Sequence, residues 1–290
     1  LSIRRQRQMC IRDRYLTMRQ QTQVFAHSFS SMDNLPFRAE DYSMLKFGSD
    51  MVARGFGREL AREFFAQHSA ELLTQNCVVI PSPYNFVENA ATVMARHFTN
   101  ELNHLLVNAN GTNVEWSIIH RKVSYTNDYG FLTKEKRREL IDNDLFFLNK
   151  EFLEGKTLIF IDDVCITGTH EDKLVEILDR NKLKNRTFFA YFAKYEKGEV
   201  GADIEAQLNF AGIQHVSDFV KLTKMPDHHL IVRPIKFMLS QEPKVFKAVI
   251  EDLDESFARK MYYGCVGEGY NRIPKYQDNF LQLMNHLCLK

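Results

Sequence analysis

Lys156-Thr157-Leu158-Ile159-Phe160-Ile161-Asp162-Asp163-Val164-Cys165-Ile166-Thr167-Gly168-Thr169-His170 is the stretch on which the fold reading turns. Leu158 to Ile161 is an unbroken apolar run, too short for a buried helix and rich in β-branched and aromatic side chains. It predicts a strand covered on both faces, as in a parallel sheet. Asp162 and Asp163 follow at its carboxyl end, and a short Thr/Gly loop comes next. From about Glu171 to Leu178 the pattern becomes that of an amphipathic helix, with Leu174, Ile177 and Leu178 on one side. A strand, an acidic pair, a glycine loop and a helix in that order put a ligand site at the carboxyl edge of a sheet. The unpaired N–H groups of the helix start favour an anion there.

The flanking sequence extends this pattern. Cys77 to Ile80, bounded by Asn76 and Pro81, predicts a second buried strand, followed by Pro81-Ser82-Pro83-Tyr84-Asn85 and a helix from about Val87 to Leu106. Val114 to His120 reads as a third strand and Arg186 to Tyr195 as another. At least four strands alternating with helices define an α/β fold with a parallel, doubly wound sheet. Asp41 to His68 is predicted helical, with Leu45, Val52, Phe56, Leu60 and Phe64 on one face and Arg54, Arg58 and Arg62 solvated on another. The last ninety residues form a mainly helical region. Helices are expected at Ala202–Ala211, Arg233–Leu239, Val245–Tyr263 and Asp278–Leu287, and a helix start or short strand at Asp218–Leu222. Gly264 to Tyr270 reads as a flexible connection.

On these residues the tract resembles the phosphoribosyl-diphosphate (PRPP) signature of type I phosphoribosyltransferases, a hydrophobic run, an acidic pair, Val, and a Thr-Gly-Thr turn. The strand ending in Arg121 and the long polar segment after it are most similar to the ComF-like branch. Two positions depart from the signature: Ile166 stands where a Thr or a catalytic acid/base is usual, and His170 where the closing Thr is usual. The similarity runs for some 155 residues, to about Glu199.

The resemblance implies a site. Asp162 and Asp163 would be its catalytic carboxylates, contacting the ribose hydroxyls and meeting Mg²⁺ only through those hydroxyls or water. Cys165, Ile166, Thr167, Gly168, Thr169 and His170 would form the 5-phosphate loop. Ser82, Pro83, Tyr84 and Asn85 would form the diphosphate loop, stiffened by its prolines although it has no glycine. Arg121 and Lys122 would begin a lid over the diphosphate, with Arg137 as a further cation. For Thr133 to Arg138 the plain alternative is a solvated helix start capped by Thr133, and for the acidic pair a capped strand end with solvated carboxylates. The implied activity is Mg²⁺-dependent phosphoribosyl transfer (a pentosyltransferase, within the glycosyltransferases) from PRPP to an unidentified base or other nucleophile, with release of diphosphate. The alternative is a sensor that binds PRPP or a nucleotide without turnover, because Ile166 cannot act as an acid or base.

Other signals are quieter. Arg4 to Asp13 looks like an in-frame translation of a sequencing adapter, so residues 1–17 are expected to be an artefactual leader, with Met18 or Met32 as the natural start. Residues 41–199 are expected to form the phosphoribosyltransferase-like core and 200–290 a hood or appended module. The formal net charge is +1, so bulk electrostatics point to no nucleic-acid partner, and no apolar run approaches the ~20 residues of a membrane span. A homodimer is allowed for. Cys10, Cys77, Cys165, Cys265 and Cys288 lack metal-ligand spacing and read as free thiols of a cytoplasmic protein. His228-His229 beside Asp227 lacks the separation of a good chelate, and the Gly264–Gly269 glycines lack the preceding strand of a dinucleotide fingerprint.

Overall fold

The computed structural model describes residues 20–122, 145–196 and 203–289. The expectations for the leader, for Thr133–Arg138 and for the boundary at residue 199 lie outside them. The central sheet has five parallel strands: β1 (Gln21–Phe29), β2 (Cys77–Pro81), β3 (Glu115–Trp116), β6 (Thr157–Cys165) and β7 (Thr187–Tyr195), in the spatial order β1-β7-β6-β2-β3. Two short strands, β4 (His120–Lys122) and β5 (Leu145–Phe147), pair antiparallel in a separate ribbon.

Helices cover both faces, as the continuous apolar strands require. On one face lie α1 (Ala39–Lys46), α2 (Asp50–Leu72) and α3 (Ala90–Asn108). They meet Ile159, Ile161, Phe188, Ala190 and Phe192 of the sheet. Phe192 stacks on Phe56 of α2 with ring centroids 3.7 Å apart. Helices α2 and α3 approach closely at Gly57, where a Cβ would fall 2.4 Å from the Met94 carbonyl. On the other face α4 (Lys150–Leu153) and α5 (Thr169–Arg180) cover Leu158, Phe160 and Phe189. Helix α6 (Asp203–Phe210) packs on α1 and adds Leu208 to the first core. The remaining helices, α7 (Val216–Thr223), α8 (Val232–Leu239), α9 (Pro243–Glu251), α10 (Glu255–Gly267) and α11 (Gln277–His286), build a second core around Phe219, Phe246, Met261 and Tyr276. Phe47, at the junction of α1 and α2, is fully buried in that second core and meets the Phe237 ring edge-on at 5.2 Å. Among the described residues no helix is long and apolar enough to cross a membrane.

Four elements differ from the expectation, each for a local reason. The helix expected over Asp41–His68 breaks at Gly48, which takes φ +102°, a conformation that suits glycine. Ser49 then caps α2, its hydroxyl accepting from the Val52 N–H at 3.4 Å. The strand expected over Val114–His120 is two strands, because after Ser117 donates to the Val79 carbonyl the chain leaves the sheet and follows the loop after β2. The helix expected over Val245–Tyr263 breaks at Asp252–Leu253–Asp254, where Asp254 caps α10 by accepting from the Phe257 N–H at 3.2 Å. The first part of the flexible connection expected at Gly264–Tyr270, Gly264–Gly267, is instead the last turn of α10, and Tyr270 opens a short 3-10 turn. Gly264 and Gly267 lie against Ile235, Val87 and the Phe86 ring, where any Cβ would collide. Beyond these, β1 precedes the span assigned to the core and joins the sheet edge beside β7.

Candidate functional site

The largest difference from the sequence reading is at the acidic pair. The strand does not stop at Ile161. β6 continues to Cys165, because Asp162, Val164 and Cys165 stay paired with Tyr191, Ala193 and Lys194 of β7. Successive residues of a strand point to opposite faces, so the two carboxylates diverge. Asp163 points to the α1 side and Asp162 to the α5 side.

Asp163 is 5% exposed and its oxygens are fully engaged. Lys46 donates to Oδ2 at 2.5 Å, while the Tyr42 hydroxyl (3.0 Å) and the Val164 N–H (2.8 Å) donate to Oδ1. Burial alone would raise the Asp163 carboxyl. The Lys46 charge and hydrogen bond, with the Val164 and Tyr42 donors, outweigh it and hold the group below its ordinary value. Burial, the Asp163 charge and the Glu205 charge push the Tyr42 hydroxyl well up, so it stays protonated and donates. Asp162 is more accessible. Its Oδ1 accepts from the Asp163 N–H at 3.0 Å and its Oδ2 lies 3.3 Å from Nδ1 of His170.

The loop after β6 turns at Gly168, whose φ of +71° is left-handed, and α5 starts at Thr169, two residues earlier than expected. Thr167 Oγ1 and Thr169 Oγ1 are 2.9 Å apart. The acidic first turn of α5 is tied back to the sheet: Glu171 accepts from Tyr191 at 2.8 Å and from Gln23 at 2.7 Å. Burial first, then the Glu171 and Asp162 charges, raise the Cys165 thiol to about 11, so it is a packed, protonated side chain rather than a nucleophile. At neutral pH, alkylation followed by peptide mapping is therefore expected to label exposed Cys288 well before Cys165, Cys77 or Cys265. Burial raises those last two to about 12.

The loop after β2 is held from both ends. The Ser82 N–H donates to the Ile161 carbonyl at 2.9 Å, and Asn89 Nδ2 donates to the Ser82 carbonyl at 3.1 Å while its Oδ1 caps α3. Arg121 is set by its own N–H, which donates to the Tyr84 carbonyl at 2.9 Å.

These pieces meet. A cavity of about 210 Å³ is lined by Asp162, Asp163, the Cys165–His170 loop, Ser82–Asn85 and Arg121. Lys122 does not line it. It faces a second cavity of about 490 Å³, which shares Asn85, Arg121 and Glu268 with the first. The first cavity also draws on residues that the sequence did not single out: Tyr42 and Lys46 from α1, and Glu205, Arg233, Lys236 and Glu268 from the C-terminal region. One signal was present for α1, since Tyr42 and Lys46 are four apart and so share a helix face. The C-terminal contributors carry no such signal, because only tertiary packing brings Glu205 of α6 onto α1 and turns α8 and the end of α10 towards the sheet. As to metal, no three His, Cys, Asp or Glu side chains converge among the described residues. Of the pair, Asp163 carries the Lys46 ammonium, whereas Asp162 has the His170 ring beside it, with Nδ1 3.3 Å from Oδ2.

The arrangement defines a class: a doubly wound α/β protein with a cavity, lined by charged and apolar side chains, at the carboxyl ends of its central strands and roofed by a helical region. The chain belongs to the ComF-like phosphoribosyltransferase family, whose model (PRTase ComF-like) matches residues 20–283. No curated protein matches it in sequence. Among solved structures, it is similar to a hypoxanthine phosphoribosyltransferase from Staphylococcus aureus (12% identity, TM-score 0.33, 51% of this chain and 70% of that one). It is also similar to the hypoxanthine phosphoribosyltransferase from Trypanosoma cruzi (13% identity, TM-score 0.34, 54% and 81%).

Proposed function

We propose that the chain binds PRPP with Mg²⁺ in the 210 Å³ cavity and transfers the phosphoribosyl group to a nitrogen nucleophile, releasing diphosphate. One observation carries this reading: the Thr167-Gly168-Thr169 turn at the start of α5, the Asp162 carboxylate and the Arg121 cation line one cavity. The 5-phosphate fits the turn, where a helix start offers N–H donors to an anion. Asp162 fits the ribose hydroxyls and, through them or water, the metal. When bound, Mg²⁺ neutralises diphosphate charge. As the bond from ribose C1 to the diphosphate oxygen breaks, positive charge grows on the ring, and a fixed carboxylate such as Asp162 stabilises it. Asp163, whose oxygens are taken by Lys46, Tyr42 and Val164, acts behind Asp162 as a structural charge and not as a second ribose ligand.

Ile166 lines the cavity at the position of the usual acid or base. Turnover therefore needs a nucleophile that has already lost its proton, or a base supplied elsewhere. The same observation, with Asp163 engaged, favours the second reading, a PRPP sensor without turnover. The buried, protonated thiols suit a reducing compartment, and we assign the protein to the cytoplasm.

Calorimetry with PRPP and Mg²⁺, followed by diphosphate release with a panel of nucleobases, tests both readings. Asp162→Asn is expected to weaken PRPP about 10- to 100-fold, the loss of one charge-assisted hydrogen bond or more. Release that depends on an added base supports transfer, and binding without release favours the sensor. No binding by the wild-type chain overturns both.

A further inference from the structure

The loop expected to hold diphosphate has few donors to give. The Ser82 N–H is spent on the Ile161 carbonyl, and Pro83 has no N–H. The donors that converge lie one step further on, at Asn85, Phe86 and Val87. An anion already sits among them. The Glu268 carboxylate accepts from the Val87 N–H at 2.7 Å, the Phe86 N–H at 2.9 Å and Asn85 Nδ2 at 3.2 Å. Two backbone N–H groups and an amide around one carboxylate form an anion seat of the kind that backbone nests make for phosphate. Glu268 reaches it because α10 ends there: Gly264 and Gly267, lacking side chains, let the helix lie against Val87 and Phe86, and Gly269 at φ +73° turns the chain away. Asn85 and Glu268 line both cavities. In the larger one Lys122 and Arg272 join them, and neither makes an ion pair with another described residue.

We infer that the Asn85–Val87 turn is an anion seat in which Glu268 is the resident occupant, and that a phosphate or diphosphate group entering the adjoining cavity displaces it. The occupant is internal and costs no translational entropy to bind, so an incoming anion binds only to the fraction of molecules in which the seat is open. Displacement also frees the end of α10 from the loop after β2, which couples anion binding to the C-terminal region. This rests on the PRPP reading only for the identity of the physiological ligand, since the seat itself is defined by its donors.

The test uses inorganic diphosphate, alone and with Mg²⁺, on the full chain. Glu268→Ala opens the seat and is expected to bind diphosphate on the order of tenfold more tightly than wild type. Glu268→Gln, which keeps an acceptor oxygen but not the charge, is expected to fall between. Amide hydrogen exchange supplies a second readout. Saturating diphosphate is expected to speed exchange across residues 264–272 of the wild type while Phe86 and Val87 stay protected. Unchanged or weaker diphosphate binding by Glu268→Ala, with the variant folded by circular dichroism, overturns the inference and makes Glu268 a tether. Should Glu268→Ala not fold, exchange in the wild type decides: no change at 264–272 on saturation overturns it. PRPP binding by the wild type together with unchanged affinity in Glu268→Ala would sink this inference and leave the proposed function standing.

Discussion

Lys46→Met is expected to destabilise the folded chain by about 3–5 kcal/mol, the scale seen when one partner of a buried ion pair is removed. The reason is what the substitution leaves behind. Asp163 is 5% exposed and Lys46 16% exposed in its side chain, so the carboxylate loses its cation in a place where water cannot replace it. For a chain of this size the loss lowers Tm by roughly 10 °C, which thermal unfolding followed by circular dichroism would measure. The pH dependence separates this cause from simple loss of packing. In the wild type the Asp163 carboxyl is held below its unfolded value. Its contribution is therefore complete above the unfolded carboxylate pKa of about 4 and is lost as pH falls through the folded value. In Lys46→Met, burial raises the same carboxyl, so folding of the variant is favoured as pH falls and Asp163 takes up a proton. The stability gap between the two proteins should therefore narrow steadily below neutral pH. A gap that is flat with pH would show that Lys46 acts through its methylene stem alone. Asp163→Asn in the Lys46→Met background should recover part of the loss, because a neutral amide needs no counter-ion.

Gly48→Ala is expected to cost about 2–5 kcal/mol. Two penalties add. A residue with a Cβ at φ +102° sits in left-handed backbone space, at roughly 1–2 kcal/mol. That Cβ would also fall 2.1 Å from the His229 carbonyl oxygen and 3.0 Å from Nε2 of His228, an overpacking of the kind that costs about 1–3 kcal/mol more. The contact cannot relax cheaply, since the His229 N–H donates to the Gly48 carbonyl at 2.8 Å and Nε2 of His228 bonds to the Phe47 carbonyl at 2.9 Å. These bonds fasten the 225–231 loop to the junction of α1 and α2, and Phe47 extends from that junction into the second core. The substitution should therefore loosen the C-terminal helices from the sheet. Hydrogen exchange in α7 and α8 is expected to accelerate more than exchange in β6 and β7. Uniform acceleration, or a Tm within a degree of wild type, would show that the junction carries no such coupling.

The acidic pair shows where reading the sequence stopped. That Leu158 to Ile161 is a buried strand was legible, because four continuous apolar residues have no amphipathic alternative at that length. Where the strand ends was not. Polar residues read as a terminus, whereas backbone pairing with β7 carries β6 four residues further. That extension turns a pair of carboxylates into two groups with different surroundings. Similarly, β1 carries no clear strand pattern, because Gln21, Gln23, His27 and Ser28 dilute its apolar content. An edge strand needs only one neighbour, and β7 supplies it.

By itself the sequence determined the parallel α/β core, the places of β2, β6 and β7 along the chain, and the Thr-Gly-Thr turn at the strand–helix junction. Those follow from local period, propensity and turn chemistry, which a short window of residues contains. Only the tertiary structure decided the charge state and company of Asp163, the separation of Lys122 from the main cavity, and the entry of Glu268 into the loop after β2. The first and the last depend on residues more than a hundred positions apart. Lys46 with Asp163 and Glu268 with Phe86 and Val87 meet because packed helices bring them within hydrogen-bond reach, and the sequence pattern of either partner alone carries no trace of the other. The tract at Asp162-Asp163 thus marks where the candidate site lies, and the helices folded against it set which of its two carboxylates remains available to a ligand.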